Sequence, residues 1–506
     1  MLAEKSEKRL FEKRELIYIG ILAAIALGLG IYQIATTVMI AQDGVRYINN
    51  AKMFGNDFTA AFRRYWPGYP FLIFLLHNFI NLFHKTDSIY SWIYCGQAVS
   101  LLCRVLSLIP MYFIGKILVG ERKTLWGLLI LILLPYPAEF GVDVIREWPH
   151  IFFLAAGMAL LIYGARKGSW WMFGLAGLVA GLGHTVRPEC AQVVIYGMLW
   201  LIICLIIPRP EPGRGKAVLL IFVLLAGFAI PVGPFMKIRN EIVPGKLNRV
   251  IGQFSNDVST SPDNKEIKVG CDNEIMCRAE SVPADIVRAA GRLVQAISED
   301  LMHFFILPFV IGVYWGFRKI RKAIFDEKFF ILCLLSLYTI MMTLLHINYD
   351  YISRRHCLPM VILGIFYVPI GLELIAGWVE VNVFRNKKVE AKDIQSVFLI
   401  LLCIGLIICV GKIGRITPLR AEKQSHLQAA KWLKENTKQG DKIAVFDGRI
   451  ELYSARKCLV VQENSFPEGM DYIVRQFEGQ AALPDGWDVQ KKFAECQDKV
   501  AIYGKP

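Results

Sequence analysis

The sequence has few charged residues and shows no internal repeat and no low-complexity tract. Only 20% of its 506 residues are charged, whereas 55% are hydrophobic, and its mean hydropathy is +0.43. Soluble chains have about 25% charged residues. The apolar residues are gathered in runs of roughly 16–25, the length that crosses a bilayer. A soluble globular enzyme, a disordered protein and a disulfide-rich secreted module are therefore excluded.

The twelve cysteines show no CxxC or Cys/His spacing that would indicate a zinc site. Eight lie in or beside apolar runs, where a thiol behaves as a small hydrophobic group. The other four could form the disulfides Cys271–Cys277 and Cys458–Cys496 if those regions face an oxidising space, and both pairings stay open.

A nucleic-acid-binding function is also excluded. The net charge of +14 lies mostly in short loops between apolar runs, where it sets membrane orientation. Outside those loops there is no basic helix with interleaved aromatic residues. We also expect no cleaved signal peptide, because the first apolar run is too long for one.

The apolar runs predict eleven membrane-spanning helices in a polytopic all-α domain. The predicted spans are 16–40, 92–115, 124–137, 149–164, 170–186, 190–207, 217–236, 297–316, 328–346, 357–378 and 395–413. The run at 67–83 is interrupted by His77, Asn78 and Asn81, which are costly in hydrocarbon. We expect it to be an interfacial or re-entrant helix beside an amphipathic segment at 44–54.

The distribution of basic residues predicts the orientation. Five basic residues precede the first span and indicate a cytoplasmic N-terminus: Lys5, Lys8, Arg9, Lys13 and Arg14. If 67–83 crossed the membrane, most of the basic loops after it would lie outside. We therefore expect a multi-pass protein of the inner (plasma) membrane with an extracytoplasmic C-terminus.

Two regions are predicted to lie outside the membrane. Residues 237–296 form a long polar loop within the transmembrane domain, which covers 1–413. Residues 414–506 combine a helical stretch at 428–436 with β-rich runs at 442–446, 457–461 and 500–503. This pattern predicts a small extracytoplasmic α/β domain.

Several acidic and basic residues share the predicted outer ends of the spans. Asp43 follows the first span, and Asp143 and Glu147 lie in the next outer loop at a spacing that would place them on one helix face. The basic candidates are Arg187, Lys237, Arg239, Arg354 and Arg355. A carboxylate can remove a proton from an attacking hydroxyl, and such cations can hold a departing phosphate. Each basic residue could instead be an interfacial anchor.

Six short segments carry a resemblance to a known family. They are DGVRYI at 43–48, WPGYPFL at 66–72, RE at 146–147, TVRPE at 185–189, KIRN at 237–240 and RRHCLP at 354–359. In this order they resemble the GT-C membrane glycosyltransferases, particularly the aminoarabinose-transferase and protein O-mannosyltransferase (family 39-like) branch. The resemblance implies transfer of a sugar from a polyprenyl-phosphate carrier to a lipid, glycan or protein acceptor, with inversion at the sugar carbon and without a nucleotide donor.

The sequence departs from that family at its acidic sites. Many members have Asp-Glu where this chain has Asp43-Gly44, and many have Asp where this chain has Glu147. A bound cation needs two or more carboxylate oxygens, so the need for a divalent cation stays open.

Two other function classes are weighed against this one. A transporter or flippase of a lipid-linked anion could use the same cations and apolar groove, but it should place ionisable groups near the membrane midplane. An assembly or receptor protein would use its outer domain to bind a partner, and pull-down of that partner by the domain alone would indicate it.

Overall fold

The structure is a computed structural model of the chain. It describes residues 12–64, 66–86, 88–207, 212–239, 282–319, 324, 326–349, 351–384, 390–414, 418–461, 467–477, 486–494 and 498–505. Cys271, Cys277 and Cys496 lie outside these residues, so both disulfide pairings stay predictions.

In the described residues of the transmembrane part, every regular secondary-structure element is a helix. Its α-helices are α1 (Lys13–Thr36), α2 (Gln42–Met53), α3 (Phe58–Arg64), α4 (Gly68–Asn81), α5 (Ile89–Val119), α6 (Glu121–Leu133), α7 (Pro135–Phe140), α8 (Glu147–Lys167), α9 (Trp170–Val186), α10 (Gln192–Ile206), α11 (Arg214–Arg239), α12 (Val282–Asp300), α13 (Ile306–Phe317), α14 (Lys328–Tyr349), α15 (Arg354–Gly364), α16 (Val368–Asn382) and α17 (Ala391–Gly414). Short 3-10 turns join α9 to α10 (Pro188–Ala191) and α15 to α16 (Ile365–Tyr367).

Among the described residues, eight helices are long and apolar enough to cross a membrane. They are Lys13–Thr36, Ile89–Val119, Glu147–Lys167, Pro188–Ile206, Arg214–Arg239, Lys328–Ile347, Arg354–Asn382 and Ala391–Ile413. The other three predicted spans correspond to the shorter helices α6, α9 and α13. Helix α4 has 14 residues and is about 21 Å long, and its interfacial or re-entrant placement stays a prediction.

Glycine permits close helix packing between α9 and α11. A Cβ atom added to Gly177 would lie 2.1 Å from the carbonyl oxygen of Leu224. A Cβ atom added to Gly227 would lie 2.1 Å from the carbonyl oxygen of Gly174. Small residues on facing helices allow such backbone contact in membranes, where no hydrophobic effect drives helices together. The end of α9, which leads to Arg187, is thereby held against α11, which leads to Arg239.

The prediction of a polar loop through residue 296 is wrong for its last part. Residues 282–300 form α12, in which apolar positions such as Ala289, Leu293 and Ile297 are buried on one face. Helix α13 then begins at Ile306, nine residues after the predicted start of a span at 297. The sequence of α12 contains no long apolar run, because polar and apolar residues are interleaved along an amphipathic helix. A prediction based on such runs therefore misses this helix.

The C-terminal region forms a five-stranded sheet with helices packed on it. After a 3-10 turn at Ala421–Lys423, its elements are α18 (Gln424–Asn436), β1 (Ile443–Val445), α19 (Gly448–Ser454), β2 (Cys458–Val460), β3 (Tyr472–Gln476), β4 (Asp488–Phe493) and β5 (Val500–Gly504). The strand order is β2-β1-β3-β5-β4. Strand β1 pairs in parallel with β2 and β3, and β5 pairs antiparallel with β3 and β4.

A buried histidine makes the stability of this region depend on pH. The side chain of His426 has no exposed surface, and its Nε2 lies 3.7 Å from Oδ2 of Asp447. Burial lowers the pKa of His426 to about 4, although the Asp447 charge acts in the opposite direction. In an unfolded chain a histidine has a pKa of about 6.5. The folded region therefore binds this proton less readily than the unfolded chain.

We expect the thermal unfolding midpoint to fall as the pH is lowered from about 6.5 to about 4. Above pH 6.5, His426 is neutral in both the folded and the unfolded chain, so its effect on stability is complete. As the pH falls below 6.5, His426 becomes protonated in the unfolded chain but stays neutral in the folded one. The unfolded chain is thereby favoured, and stability is lost. His426→Gln should reduce this pH dependence, measured by thermal unfolding in detergent. His84→Gln, at an exposed histidine, is the control, and an unchanged pH dependence in His426→Gln would contradict the assignment.

Candidate active site

Asp43 lies in the first turn of α2 and is paired with an arginine from α15. Nη1 of Arg355 donates to Oδ2 of Asp43 at 2.9 Å. The carboxylate side chain is 53% exposed and the arginine side chain 33% exposed. Two residues that are 312 positions apart thus meet at an accessible surface, where a substrate could contact both.

Glu147 lies behind this pair and is buried. It is the first residue of α8 and is only 7% exposed, and its Oε2 has no hydrogen-bond partner among the described residues. Its charge acts on Arg355 and on Arg187. An uncompensated buried carboxylate is costly unless cations lie nearby. Glu147 therefore supplies negative charge that helps to hold two arginines at this site.

Asp143 has a different environment, and the prediction that it shares a helix face with Glu147 is wrong. It lies in the turn before α8 and is 3% exposed. Its Oδ1 accepts from the amides of Ala41 at 2.9 Å and Val144 at 2.8 Å. Its Oδ2 accepts from Arg420. Both oxygens are engaged in joining segments of chain, which does not suit a base that must accept a proton from a substrate.

Arg187 lies at the end of α9, beside an acidic partner in its own motif. Its Nε donates to Oε1 of Glu189 at 3.0 Å, and the residue is 7% exposed. Directly before this motif, Nδ1 of His184 lies 3.2 Å from the carbonyl oxygen of Pro188. Gly68 is needed next to this turn, because a Cβ atom there would lie 2.7 Å from the amide nitrogen of Val186.

The aromatic ring of Trp66 connects Arg239 to the turn that follows α9. The guanidinium of Arg239 lies 5.0 Å from the ring centre of Trp66, within the range of a cation–π interaction. The Trp66 ring in turn contacts His184 edge-on at 5.3 Å. Three of the sequence motifs, at 66–72, 185–189 and 237–240, therefore meet through their described residues. Lys237 is exposed at the end of α11.

Arg354 pairs with a different acid from its neighbour Arg355. Its Nε lies 3.6 Å from Oε2 of Glu299 at the end of α12. Its guanidinium stacks on the ring of Tyr136 at 4.0 Å. The two neighbouring arginines therefore pair with different acids, although both guanidinium groups lie over aromatic rings of α7.

The described carboxylates do not gather into a cation site. Across the residues that the structure covers, no three Asp, Glu, His or Cys residues are placed to hold a metal ion. Asp43 and Asp143 instead face arginines.

Comparison with known proteins identifies the fold. A family model for dolichyl-phosphate-mannose-protein mannosyltransferases matches residues 67–232. ArnT from Cupriavidus metallidurans bound to undecaprenyl phosphate superposes with a TM-score of 0.57 at 11% identity, covering 96% of this chain and 98% of that one. The chain has the GT-C fold.

A second GT-C structure gives the same result. Archaeal oligosaccharyltransferase AglB from Archaeoglobus fulgidus, in complex with an inhibitory peptide and a dolichol-phosphate, matches with a TM-score of 0.57 at 10% identity. The match covers 92% of this chain and 69% of that one. No curated protein matches by sequence. The predicted resemblance, and the all-α polytopic membrane fold with a small C-terminal α/β region, are confirmed.

The sequence motifs missed three residues that contact the site from the C-terminal region. Arg420 binds Asp143, and Tyr453 and Arg449 reach the chain just before α2. These residues stand about 280 to 410 positions from their partners. No local pattern could have indicated such contacts, because only the tertiary fold brings them together.

Proposed function

We propose that this protein is a glycosyltransferase that moves a sugar from a polyprenyl-phosphate donor to an acceptor at the outer face of the membrane, with inversion. The observation that carries the proposal is the accessible Asp43–Arg355 pair, with Glu147 buried behind it. In this pair a carboxylate, which can accept a proton, lies beside a guanidinium, which can bind a phosphate, and both residues lie in the first turns of helices. The ligands named for ArnT and AglB, undecaprenyl phosphate and dolichol-phosphate, support a lipid-phosphate donor.

In the proposed reaction, an acceptor hydroxyl or amine attacks the sugar carbon that carries the phosphate. The bond between that carbon and the acceptor forms as the carbon–oxygen bond to phosphate breaks. Asp43 takes the acceptor proton, and the phosphate leaves on its lipid with the bonding electrons. Arg355 stabilises its developing charge, with Arg187, Lys237, Arg239 and Arg354 as further candidate phosphate contacts. Attack from the side opposite the leaving group inverts the sugar carbon.

Arg355 can bind Asp43 and a phosphate at the same time. The guanidinium holds the carboxylate in place through a hydrogen bond. An arginine has five N–H donors, so Arg355 can hold Asp43 and still offer donors to a phosphate. Glu147 orients Arg355 from its buried side, which makes it a supporting acid rather than a base. Asp143 acts as a positioning residue.

The positions of the candidate residues argue against a transporter. Asp43 and Glu147 lie in the first turns of α2 and α8, Arg355 lies in the first turn of α15, and Arg239 ends α11. Transporters bind their substrates near the midplane, typically at broken helices. The described candidates lie at helix ends instead, as expected for chemistry at the membrane surface.

The distribution of charge supports the proposed location. The basic N-terminal segment and basic loops favour an inner (plasma) membrane orientation with the N-terminus cytoplasmic. In this orientation, Asp43 and the proposed domain 414–506 face the extracytoplasmic side, above the transmembrane domain 1–413. The acceptor there is a lipid, a glycan or a protein.

We expect cells that lack the protein to accumulate one polyprenyl-phosphate sugar and to lose one glycosylated product. Mass spectrometry of the lipid-phosphate sugars and of the envelope glycans, lipids and proteins measures both pools. The purified protein should then release polyprenyl phosphate from the accumulated donor. If it only moved the intact donor across proteoliposomes, the transport function would replace this proposal.

A further inference from the structure

The segment that joins α1 to α2 is bound by residues from the C-terminal region. The amide of Val38 donates to the carbonyl oxygen of Leu419 at 3.1 Å. The amide of Ile40 donates to the hydroxyl oxygen of Tyr453 at 3.1 Å. Ile40 is fully buried, so its amide depends on this partner for a hydrogen bond.

Arg420 binds the same segment and an acid of the site together. Its Nη1 donates to the carbonyl oxygen of Met39 at 3.1 Å, and its Nη2 forms the ion pair with Asp143. Asp143 in turn accepts from the amide of Ala41. Arg420 therefore links the C-terminal region, the turn before α8 and the two residues on either side of Ile40.

A second arginine of the C-terminal region contacts the carbonyl oxygen of Ile40. Nη1 of Arg449 lies 3.5 Å from it. The guanidinium is fixed by Asp447, whose Oδ2 accepts from its Nη2 at 2.6 Å and whose Oδ1 accepts from its Nε at 3.0 Å. Asp447 thus orients Arg449 towards the segment.

Helix α19 also packs directly on α2. A Cβ atom added to Gly448 would lie 3.9 Å from Cγ1 of Val45, which is ordinary van der Waals contact. Val45 is two residues after Asp43. The C-terminal region thus binds the backbone that enters α2 and touches the first turn of that helix.

We propose that the C-terminal region is a positioning element for Asp43, acting through the clamp of Arg420, Arg449 and Tyr453 on residues 38–41. Its contacts are to backbone polar atoms of the one segment that determines where α2 begins. Such contacts fix the position of a helix, whereas apolar packing alone would permit sliding. A misplacement of about 1 Å can slow catalysis by about 100-fold. This proposal rests on the proposed function where it takes Asp43 as the base.

The test uses the full-length protein with Tyr453→Phe, which removes one acceptor oxygen, and Arg420→Gln, which removes the ion pair and the bond to Met39. We expect faster amide hydrogen exchange in residues 38–48 of both variants. We also expect kcat for sugar transfer to fall by between about tenfold and 100-fold, with the KM for the donor unchanged. A region needed only for folding would lower the amount of active enzyme without changing exchange in 38–48.

Arg456→Gln is the matched control. Nη2 of Arg456 donates to the carbonyl oxygens of Lys434 and Thr437 at 2.7 and 2.8 Å, so these bonds lie inside the C-terminal region. This variant should leave both exchange in 38–48 and kcat unchanged. Equal effects from Arg456→Gln and Arg420→Gln would overturn the clamp, since general destabilisation would then explain both.

A double-variant comparison separates this proposal from the proposed function. In an Asp43→Asn background, Arg420→Gln should cause no further loss of transfer, because the clamp acts through Asp43. Unchanged exchange in Tyr453→Phe and Arg420→Gln would overturn the clamp even if Asp43 is essential. Full transfer by Asp43→Asn would instead overturn the role of Asp43 as the base, while the exchange data would still report the clamp.

Discussion

Asp43→Asn should fold and insert normally yet lose nearly all sugar transfer. Asparagine keeps the shape of the side chain but cannot take a proton from the acceptor. General-base catalysis contributes about 10²- to 10⁴-fold, so we expect kcat to fall within that range. The Asp43–Arg355 pair is partly exposed, and solvent-accessible ion pairs contribute only about 0–1 kcal/mol to stability. The unfolding midpoint should therefore change little.

The measurement combines kinetics with lipid analysis. Cells with Asp43→Asn as the sole copy should accumulate the donor lipid as strongly as cells without the protein. Asp57→Asn is the control, because Asp57 is an exposed acid whose Oδ1 accepts from the amide of Ala60, inside its own short helical segment. It should leave transfer unchanged. Normal transfer by a correctly folded Asp43→Asn protein would remove Asp43 from the mechanism.

The corresponding change at Asp143 should have a different effect. Its carboxylate is buried and accepts from two amides and from Arg420. Removal of one partner from a buried pair costs about 3–5 kcal/mol, so Asp143→Asn should lower stability as well as activity. The sequence could not separate Asp143 from Glu147, because both are acids in one short loop. Their different environments arise from the segments of the fold that pack against each of them.

Features predicted from the sequence were those set by local chemistry. The apolar runs predicted the long helices, because about 20 apolar residues have few other stable states in a bilayer. Asp43 was found because it directly follows the first run. Strand β4, in contrast, was missed: its lysine-rich sequence DVQKKF lacks the apolar pattern of a strand, and it lies at the edge of the sheet, where charged residues are common.

Contacts between distant parts of the chain were beyond any sequence pattern. The motifs placed Arg354 and Arg355 as equals, since they are adjacent and carry the same charge. In the structure, only Arg355 is paired with Asp43, while Arg354 stacks on Tyr136. Successive residues of a helix point about 100° apart, which directs the two guanidinium groups to different neighbours. A comparison of these two arginines therefore provides a sharp test of the site.

Arg355→Gln should lower kcat by about 10²- to 10³-fold, the typical effect of removing one donor that stabilises transition-state charge. It removes the cation proposed to bind the departing phosphate and the hydrogen-bond donor to Asp43. Arg355→Lys should recover only part of the rate, because a lysine keeps the charge but not the planar set of donors. Arg354→Gln should cost clearly less, since its guanidinium is directed towards Glu299 and Tyr136.

The kinetic parameters provide the second readout of Arg355→Gln. Because Arg355 is proposed to act on the departing phosphate in the transition state, kcat and kcat/KM should fall together, while the KM for the donor changes little. A variant that only unfolded would instead lower the unfolding midpoint and the amount of active enzyme. Equal losses in Arg355→Gln and Arg354→Gln would contradict the pairing of Arg355 with the base. They would favour a general electrostatic attraction of the anionic donor by the whole basic surface.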